Sequence, residues 1–379
     1  MPEKTTHSRW VSNGKLMISG EYLVLSGAMA LAMPVSYRQT LTVEKRPALR
    51  ASLNWHTRIK GNPWLQTRFS LPGLESLTQP EKATQGIERA RGEEGAQGKE
   101  GAHGEDVAQG EEGSWGEEGA RGGKGLQRKH TTPQQEEISR EESADFVRNV
   151  LRAAMELNPD FLAGQHHWEA VSDIGFDREW GLGSSSSLIS NVAWWASIDP
   201  YALFFMISKG SGYDIACARS SRPVLYQYQG PHTPPHVETT HFNPVFGDQL
   251  VFVYSGRKQS SEKSLRTFNP GIVRQEDIRN ISALSQKMAV TQSLATFMEA
   301  MEQHERITAG YLHQTPLQAD FFPDFPGSVK SLGAWGGDFF MAAADSPREE
   351  IVGYFHRRGF RTVIPFTEMR YRPEKTTSQ

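Results

Sequence analysis

The chain has 379 residues, enough for two domains or for one large domain carrying an insertion. Its 41 Lys+Arg against 44 Asp+Glu give a formal charge of -3, without the basic excess that binding to nucleic-acid phosphates needs. The single cysteine, Cys217, excludes a disulfide scaffold and a Cys-rich zinc site, and it suits a reducing, cytoplasmic setting.

From the amino terminus, Met1 to Trp10 is polar and charged, with no apolar stretch of signal-peptide length. Lys15 to Ile18, Met29 to Pro34 and Thr40 to Val43 read as short strands separated by Gly20 and Gly27. The apolar stretches Leu16 to Val35 and Leu188 to Ile207 are interrupted by Glu21 and by Asn191 and Asp199, so neither reads as a bilayer span. No membrane association is expected. From about Thr78 to residue 138 the composition turns to Gly, Glu, Gln, Arg and Lys, with Gly-Glu-Glu-Gly recurring at Gly92, Gly110 and Gly116. Such a run has too little apolar surface to offset the entropy of ordering it, and it is expected to be a disordered insertion. Gly122-Gly123-Lys124-Gly125 lies within it, but no Ser or Thr follows the lysine, which excludes a Walker-type loop.

After the insertion, Ser139-x-x-Glu142 has the pattern of a capping box, and Phe146, Val147, Val150, Leu151, Ala154 and Met155 recur at helical spacing. Trp168 to Val171 reads as a strand. Gly181 to Ser187 then opens a helix with Leu188, Ile189, Val192 and Trp195 on its apolar face. In the second half, Gln249 to Tyr254 reads as a strand, and a helical pattern runs from Glu276 to His313 as one bent helix or two. A strand at Phe339 to Ala343, a helix starting around Ser346-Pro347 and a strand at Thr362 to Phe366 complete the chain. The mixture predicts a two-lobed α+β fold.

Four segments carry the candidate chemistry. Gly14-Lys15-Leu16-Met17-Ile18-Ser19-Gly20-Glu21-Tyr22 sends a lysine out of a strand ahead of a glycine turn bearing an acid and an aromatic ring. Gly181-Leu182-Gly183-Ser184-Ser185-Ser186-Ser187 supplies backbone N–H groups, hydroxyls and a helix amino terminus, a combination suited to polyphosphate. Gly210-Ser211-Gly212-Tyr213-Asp214-Ile215-Ala216 places one carboxylate after a tight turn, where an isolated Asp is ordinarily a helix cap. Ser331-Leu332-Gly333-Ala334-Trp335-Gly336-Gly337-Asp338 is a glycine-rich turn between two apolar stretches.

In their order along the chain these segments resemble the motifs of the GHMP kinases. Gly20-Glu21-Tyr22 and Gly336-Gly337-Asp338 are similar to the phosphomevalonate kinase forms, and Gly212 to Ala216 spells the string after which a bacterial GHMP subgroup is named. The resemblance implies an amino-terminal lobe like domain 2 of ribosomal protein S5, over residues 1–77 and 139–225, and a ferredoxin-like carboxy-terminal lobe over 226–379. It implies ATP and Mg2+ as cofactors, and transfer of the γ-phosphoryl group to mevalonate or phosphomevalonate by a monomer or homodimer. Lys15 and Asp214 would be catalytic, and Gly181, Leu182, Gly183, Ser184, Ser185 and Ser186 would bind nucleotide, with Ser185 offering its hydroxyl to magnesium. Glu21, Tyr22, Gly333, Ala334, Gly336 and Gly337 would face the acceptor.

The pattern also departs from the family. Leu203 stands eleven residues before Asp214, where mevalonate kinases have a magnesium-binding Glu, and Trp335 replaces a usual glycine, where its ring would narrow the pocket. Arg257, Lys258 and Lys263 read as a solvated turn, although an acceptor phosphate would need such cations. His232 and His236 have helical metal-ligand spacing, but the intervening Pro234-Pro235 makes a loop of them.

Overall fold

A computed structural model describes residues 6–77, 133–256, 268–335 and 337–372. Most of the Gly/Glu-rich run, together with Arg257, Lys258, Lys263 and Gly336, lies outside the described residues. The remainder builds two sheets with helices packed on them.

The larger sheet contains β1 (Thr6–Ser19), β2 (Met29–Pro47), β3 (Ser52–Ile59), β4 (Asn62–Ser70), β5 (His166–Ile174), β6 (Val224–Gln227) and β7 (His236–Thr239). Its path runs β4-β3-β5-β2-β6-β7, with β1 paired to β2; β3 and β5 are parallel and the other pairs antiparallel. The two strands expected between Met29 and Val43 are one long strand, because the chain stays extended from Pro34 through Arg38. Alternation then does the work of a one-sided sheet: Leu41 and Val43 are buried, while Thr40 and Thr42 face partly outward. The hairpin of β3 and β4 was not legible as such. It turns at Lys60-Gly61, both with positive φ, and buries Leu53, Trp55 and Phe69.

Helices α1 (Pro133–Leu157), α2 (Ser184–Ala196), α3 (Pro200–Ile207) and α4 (Tyr213–Arg219) belong to this half. The first three bury Val147, Val150, Leu151, Leu188, Ile189, Val192, Leu203 and Phe204 with Leu41, Leu53 and Trp55 from the sheet. The start of α1 corrects the expected boundary at 138. Pro133 is tolerated in a first helical turn, and Ser139, expected to be the cap, sits inside the helix, where its carbonyl accepts from Ser143 Oγ at 2.7 Å. Residues 135–138 expose their side chains and so carry no apolar period to read.

The second sheet consists of β8 (Leu250–Tyr254), β9 (Gly327–Ser331), β10 (Phe339–Ala344) and β11 (Val363–Pro365), in the order β11-β8-β10-β9, all antiparallel. The pattern expected between Glu276 and His313 is two helices, α5 (Gln275–Val290) and α6 (Leu294–Leu312), with Ser293 accepting from Thr296 N–H as the cap of the second. They precede α7 (Leu317–Phe321), α8 (Arg348–Arg357) and the terminal turn α9 (Phe366–Met369). The succession β8, helices, β9, β10, α8, β11 in that strand order is the ferredoxin-like arrangement expected for the second lobe.

One continuous core joins the two halves. Leu16, Ile18, Leu23 and Leu31 from the first pack with Phe252, Ile281, Leu284, Phe297, Met341 and Phe366 from the second. The motif-bearing end of β1 is thus set against α5, α6 and the second sheet by burial of apolar surface. His236 opens the exposed strand β7, and among the described residues no cluster of three or more His, Cys, Asp or Glu side chains could hold a metal ion.

Candidate active site

Lys15 leaves β1 at a bulge between Asn13 and Lys15, where Gly14 lets the strand approach the loop before α2. A side chain at Gly14 would meet Leu182 O at 2.9 Å. In the room this leaves, Lys15 N–H donates to that carbonyl at 2.9 Å, so strand and glycine loop are pinned backbone to backbone. Leu182 itself is buried in the core shared by the two halves.

The loop is shaped by Gly181 and Gly183, at φ 61° and 89°. The Lys15 side chain runs across Gly183, where an added Cβ would lie 3.0 Å from its Cγ and 3.1 Å from its Cε. Helix α2 begins at Ser184 with no side chain capping its amino end, which leaves its first N–H groups open to an anion. Ser184 is half-buried and Ser185 exposed there. Ser186 is buried and donates its hydroxyl back to Gly183 O at 2.9 Å; Ser187 donates to the same carbonyl at 2.8 Å. Those two hydroxyls brace the loop instead of facing outward.

Asp214 lies in the first turn of α4, after Gly212 at φ 84°. Its Oδ1 is 3.1 Å from Lys15 Nζ, with the two side chains 21% and 14% exposed. Sequence order alone could not place these residues together, since 199 positions separate them. Lys15 Nζ also stands 5.2 Å from the centre of the Tyr213 ring. Burial works against the ammonium, but Tyr213 and Asp214 outweigh it and hold the Lys15 pKa above its ordinary value, so the lysine stays charged.

The fourth segment arrives from the second sheet. Gly337 N–H donates to Ala334 O at 3.0 Å, closing the turn, and the Asp338 side chain reaches the glycine loop. A methyl group on Gly181 would lie 1.8 Å from Asp338 Oδ2, so only glycine leaves room for it. Trp335 packs against the shared core, and its N–H donates to Tyr22 Oη at 2.7 Å. Tyr22 thereby holds the segment that contains Gly333 and Ala334. Glu21, expected to face an acceptor, is corrected: it is 4% exposed and pairs with Lys330 at 2.7 Å. Leu203 is fully buried in the apolar core, so nothing replaces the missing carboxylate at that position.

Two aromatic residues complete the surroundings. Trp180 packs edge-on against Tyr37 and Phe339, with centroids 5.2 Å and 5.9 Å apart, and so touches both halves. Trp64, on β4, lies 3.8 Å from the Arg178 guanidinium, which donates to Ser139 and Ser143 on α1. Trp180 directly precedes Gly181 in the glycine-loop segment, whereas Trp64 stands on a hairpin that carries no motif.

Solved structures share this architecture. Leishmania major mevalonate kinase in complex with R-mevalonate matches with a TM-score of 0.60 at 14% identity, over 99% of both chains. Streptococcus pneumoniae phosphomevalonate kinase in complex with phosphomevalonate and AMPPNP matches with a TM-score of 0.61 at 13% identity, over 94% of this chain and 99% of that one. The chain has the GHMP kinase fold. Lactococcus lactis galactokinase complexed with galactose extends the likeness at a TM-score of 0.51 and 10% identity, over 98% of this chain and 94% of its own. No family model and no curated protein matches the sequence. Among the described residues, no helix is long and apolar enough to cross a membrane.

Proposed function

We propose that the chain is an ATP-dependent phosphotransferase for a small alcohol, with mevalonate or phosphomevalonate as the acceptor. The observation that carries this reading is the Lys15–Asp214 pair, 3.1 Å apart, beside a glycine loop at the uncapped start of a helix. A cation, a carboxylate and open backbone N–H groups in one place are the parts that phosphoryl transfer needs. That structures sharing the fold contain R-mevalonate, or phosphomevalonate with AMPPNP, supports the acceptor class.

In this reading the N–H groups of Ser184, Ser185 and Ser186 hold the polyphosphate, and Gly181 and Gly183 admit its close approach. The exposed Ser185 hydroxyl is the ligand this chain offers to Mg2+. Bound Mg-ATP supplies the phosphoryl group and neutralises its charge. Asp214 accepts the hydroxyl proton of the acceptor, and Lys15 offsets negative charge on the transferred group. Gly20-Glu21-Tyr22 and Gly337-Asp338 favour phosphomevalonate over mevalonate by their resemblance.

Release of ADP from Mg-ATP with mevalonate, phosphomevalonate and galactose, each offered separately, tests the assignment. Turnover with either of the first two supports it. Turnover with galactose alone moves the acceptor to sugars, carbon dioxide release from diphosphomevalonate moves the chemistry to a decarboxylase, and nucleotide binding without any turnover leaves a ligand sensor on this fold.

A further inference from the structure

Between the two halves, a few residues from the site, lies a group of charged side chains that the chemistry above does not use. Lys330 on β9 is 1% exposed and donates to Glu21 Oε1 at 2.7 Å and to Ser331 O at 2.8 Å. Glu305 on α6, equally buried, accepts from Ser331 Oγ at 2.8 Å and from Ser331 N–H at 3.2 Å. His304, the preceding residue, accepts from Gly20 N–H through Nε2 at 2.7 Å. That nitrogen is 3.3 Å from Glu21 Oε2, yet being an acceptor it gives this oxygen nothing, and Oε2 is buried without a hydrogen bond from any described residue. His304 is held neutral by burial and by Lys330, so it makes no ion pair with Glu21.

A buried ion pair with one oxygen left unsatisfied is a poor device for stability, because desolvation offsets its attraction and apolar side chains of similar volume serve as well. It is a good device for register, since a hydrogen-bonded charge pair is directional where apolar packing is not. The placement fits that use. Glu21 lies in the turn at the end of the strand carrying Lys15, and Lys330 lies in the strand leading to Gly333 and Asp338. The next residue after Glu21, Tyr22, receives the N–H of Trp335, and Ser19 donates to Ser285 on α5 at 2.7 Å, so the same turn is tied to the second half at successive points.

We propose that Glu21 and Lys330 are positioning residues, whose buried pair sets the second half's glycine segment in register with the Lys15 strand and the loop at Gly181. The inference rests on the phosphotransferase reading for its consequence in catalysis, but the register itself can be measured without it. Two variants separate register from stability: Glu21→Gln, which removes the charge at constant shape, and the double variant Glu21→Met/Lys330→Met, which replaces the pair by apolar side chains.

Amide hydrogen exchange over residues 331–340 of the nucleotide-free protein is the direct readout, with urea unfolding alongside. The double variant is expected to unfold at a urea midpoint close to wild type, yet to exchange at least tenfold faster in that segment, and its kcat is expected to fall at least tenfold with a smaller change in KM for the acceptor. Glu21→Gln is expected to speed exchange in the same segment, and it decides the matter if the double variant does not fold. Wild-type exchange in the folded variants overturns the proposal. If wild type itself neither binds a non-hydrolysable ATP analogue nor turns over, the phosphotransferase reading fails, whereas the exchange result still decides the register.

Discussion

Replacing Gly181 by alanine tests whether the two glycine segments close on each other as the structure has them. Gly181 has φ 61° and ψ 18°, in the left-handed region, where a side chain costs about 1–2 kcal/mol. Its new methyl group would lie 1.8 Å from Asp338 Oδ2, 2.3 Å from Cγ and 2.9 Å from Cβ. The carboxylate must therefore leave, and displacement in a packed site costs about 1–3 kcal/mol more. Gly181→Ala is expected to destabilise by about 2–5 kcal/mol in all. Asp338→Ala removes the carboxyl group that the methyl group would strike, so Gly181→Ala made in that background is expected to cost little beyond the backbone strain. Urea unfolding of the four proteins of this cycle, at constant slope, gives a coupling of about 1–3 kcal/mol between the two sites. Additivity within about 0.5 kcal/mol would refute the contact and, with it, the closure of the second half over the loop.

Further expectations concern the charged pair, a buried network and pH. Asp214→Asn and Lys15→Met should each lower ADP release with the productive acceptor by about 10²–10⁴-fold, and unchanged turnover in the first would remove Asp214 from the proton-accepting role. Asn191 is fully buried on α2, where it accepts from Ser12 Oγ at 2.8 Å and donates to Gln39 O at 3.0 Å. Asn191→Ala should cost about 1–3 kcal/mol in urea unfolding, because buried partners on β1 and β2 are orphaned. His304 has its pKa lowered, first by burial and then by Lys330, so the unfolded chain binds the extra proton and His304 favours folding fully only above about pH 6.5. As pH falls below that value the contribution should decline, and His304→Gln should lack the decline when the two proteins are compared across the same pH range. Burial raises the nearby Glu21 and Glu305, which acts in the opposite sense as pH rises past the ordinary carboxylate range, and the comparison with His304→Gln isolates the histidine.

Local chemistry in the sequence determined a good part of this protein. Glycine at 181, 183 and 212 announced backbone that other residues adopt at a cost, and each has positive φ in the fold. The apolar period of Leu188, Ile189, Val192 and Trp195 announced a helix opened by Gly181 to Ser187, and that helix starts at Ser184. The mixture of strand and helix patterns announced the two-lobed α+β architecture. Where side chains carried no period, sequence reading fell short: α1 begins six residues before the expected cap, with residues 135–138 standing in solvent, and the β3–β4 hairpin has no motif to mark it.

Only the tertiary structure decided which groups meet, because such meetings depend on how two sheets and a shared apolar core are set, not on spacing along the chain. Lys15 and Asp214 come together because β1 and α4 pack in one half. Glu21 carried the same local signature as a ligand-facing acid, yet burial beside Lys330 turns it inward, since the partner that keeps it charged or hydrogen-bonded lies 309 residues away in the other half. Gly181 shows both kinds of information at one residue. Its backbone angle was legible from its identity and neighbours, but the carboxylate that fills the space above it comes from Asp338 and depends on the second half being packed against the first.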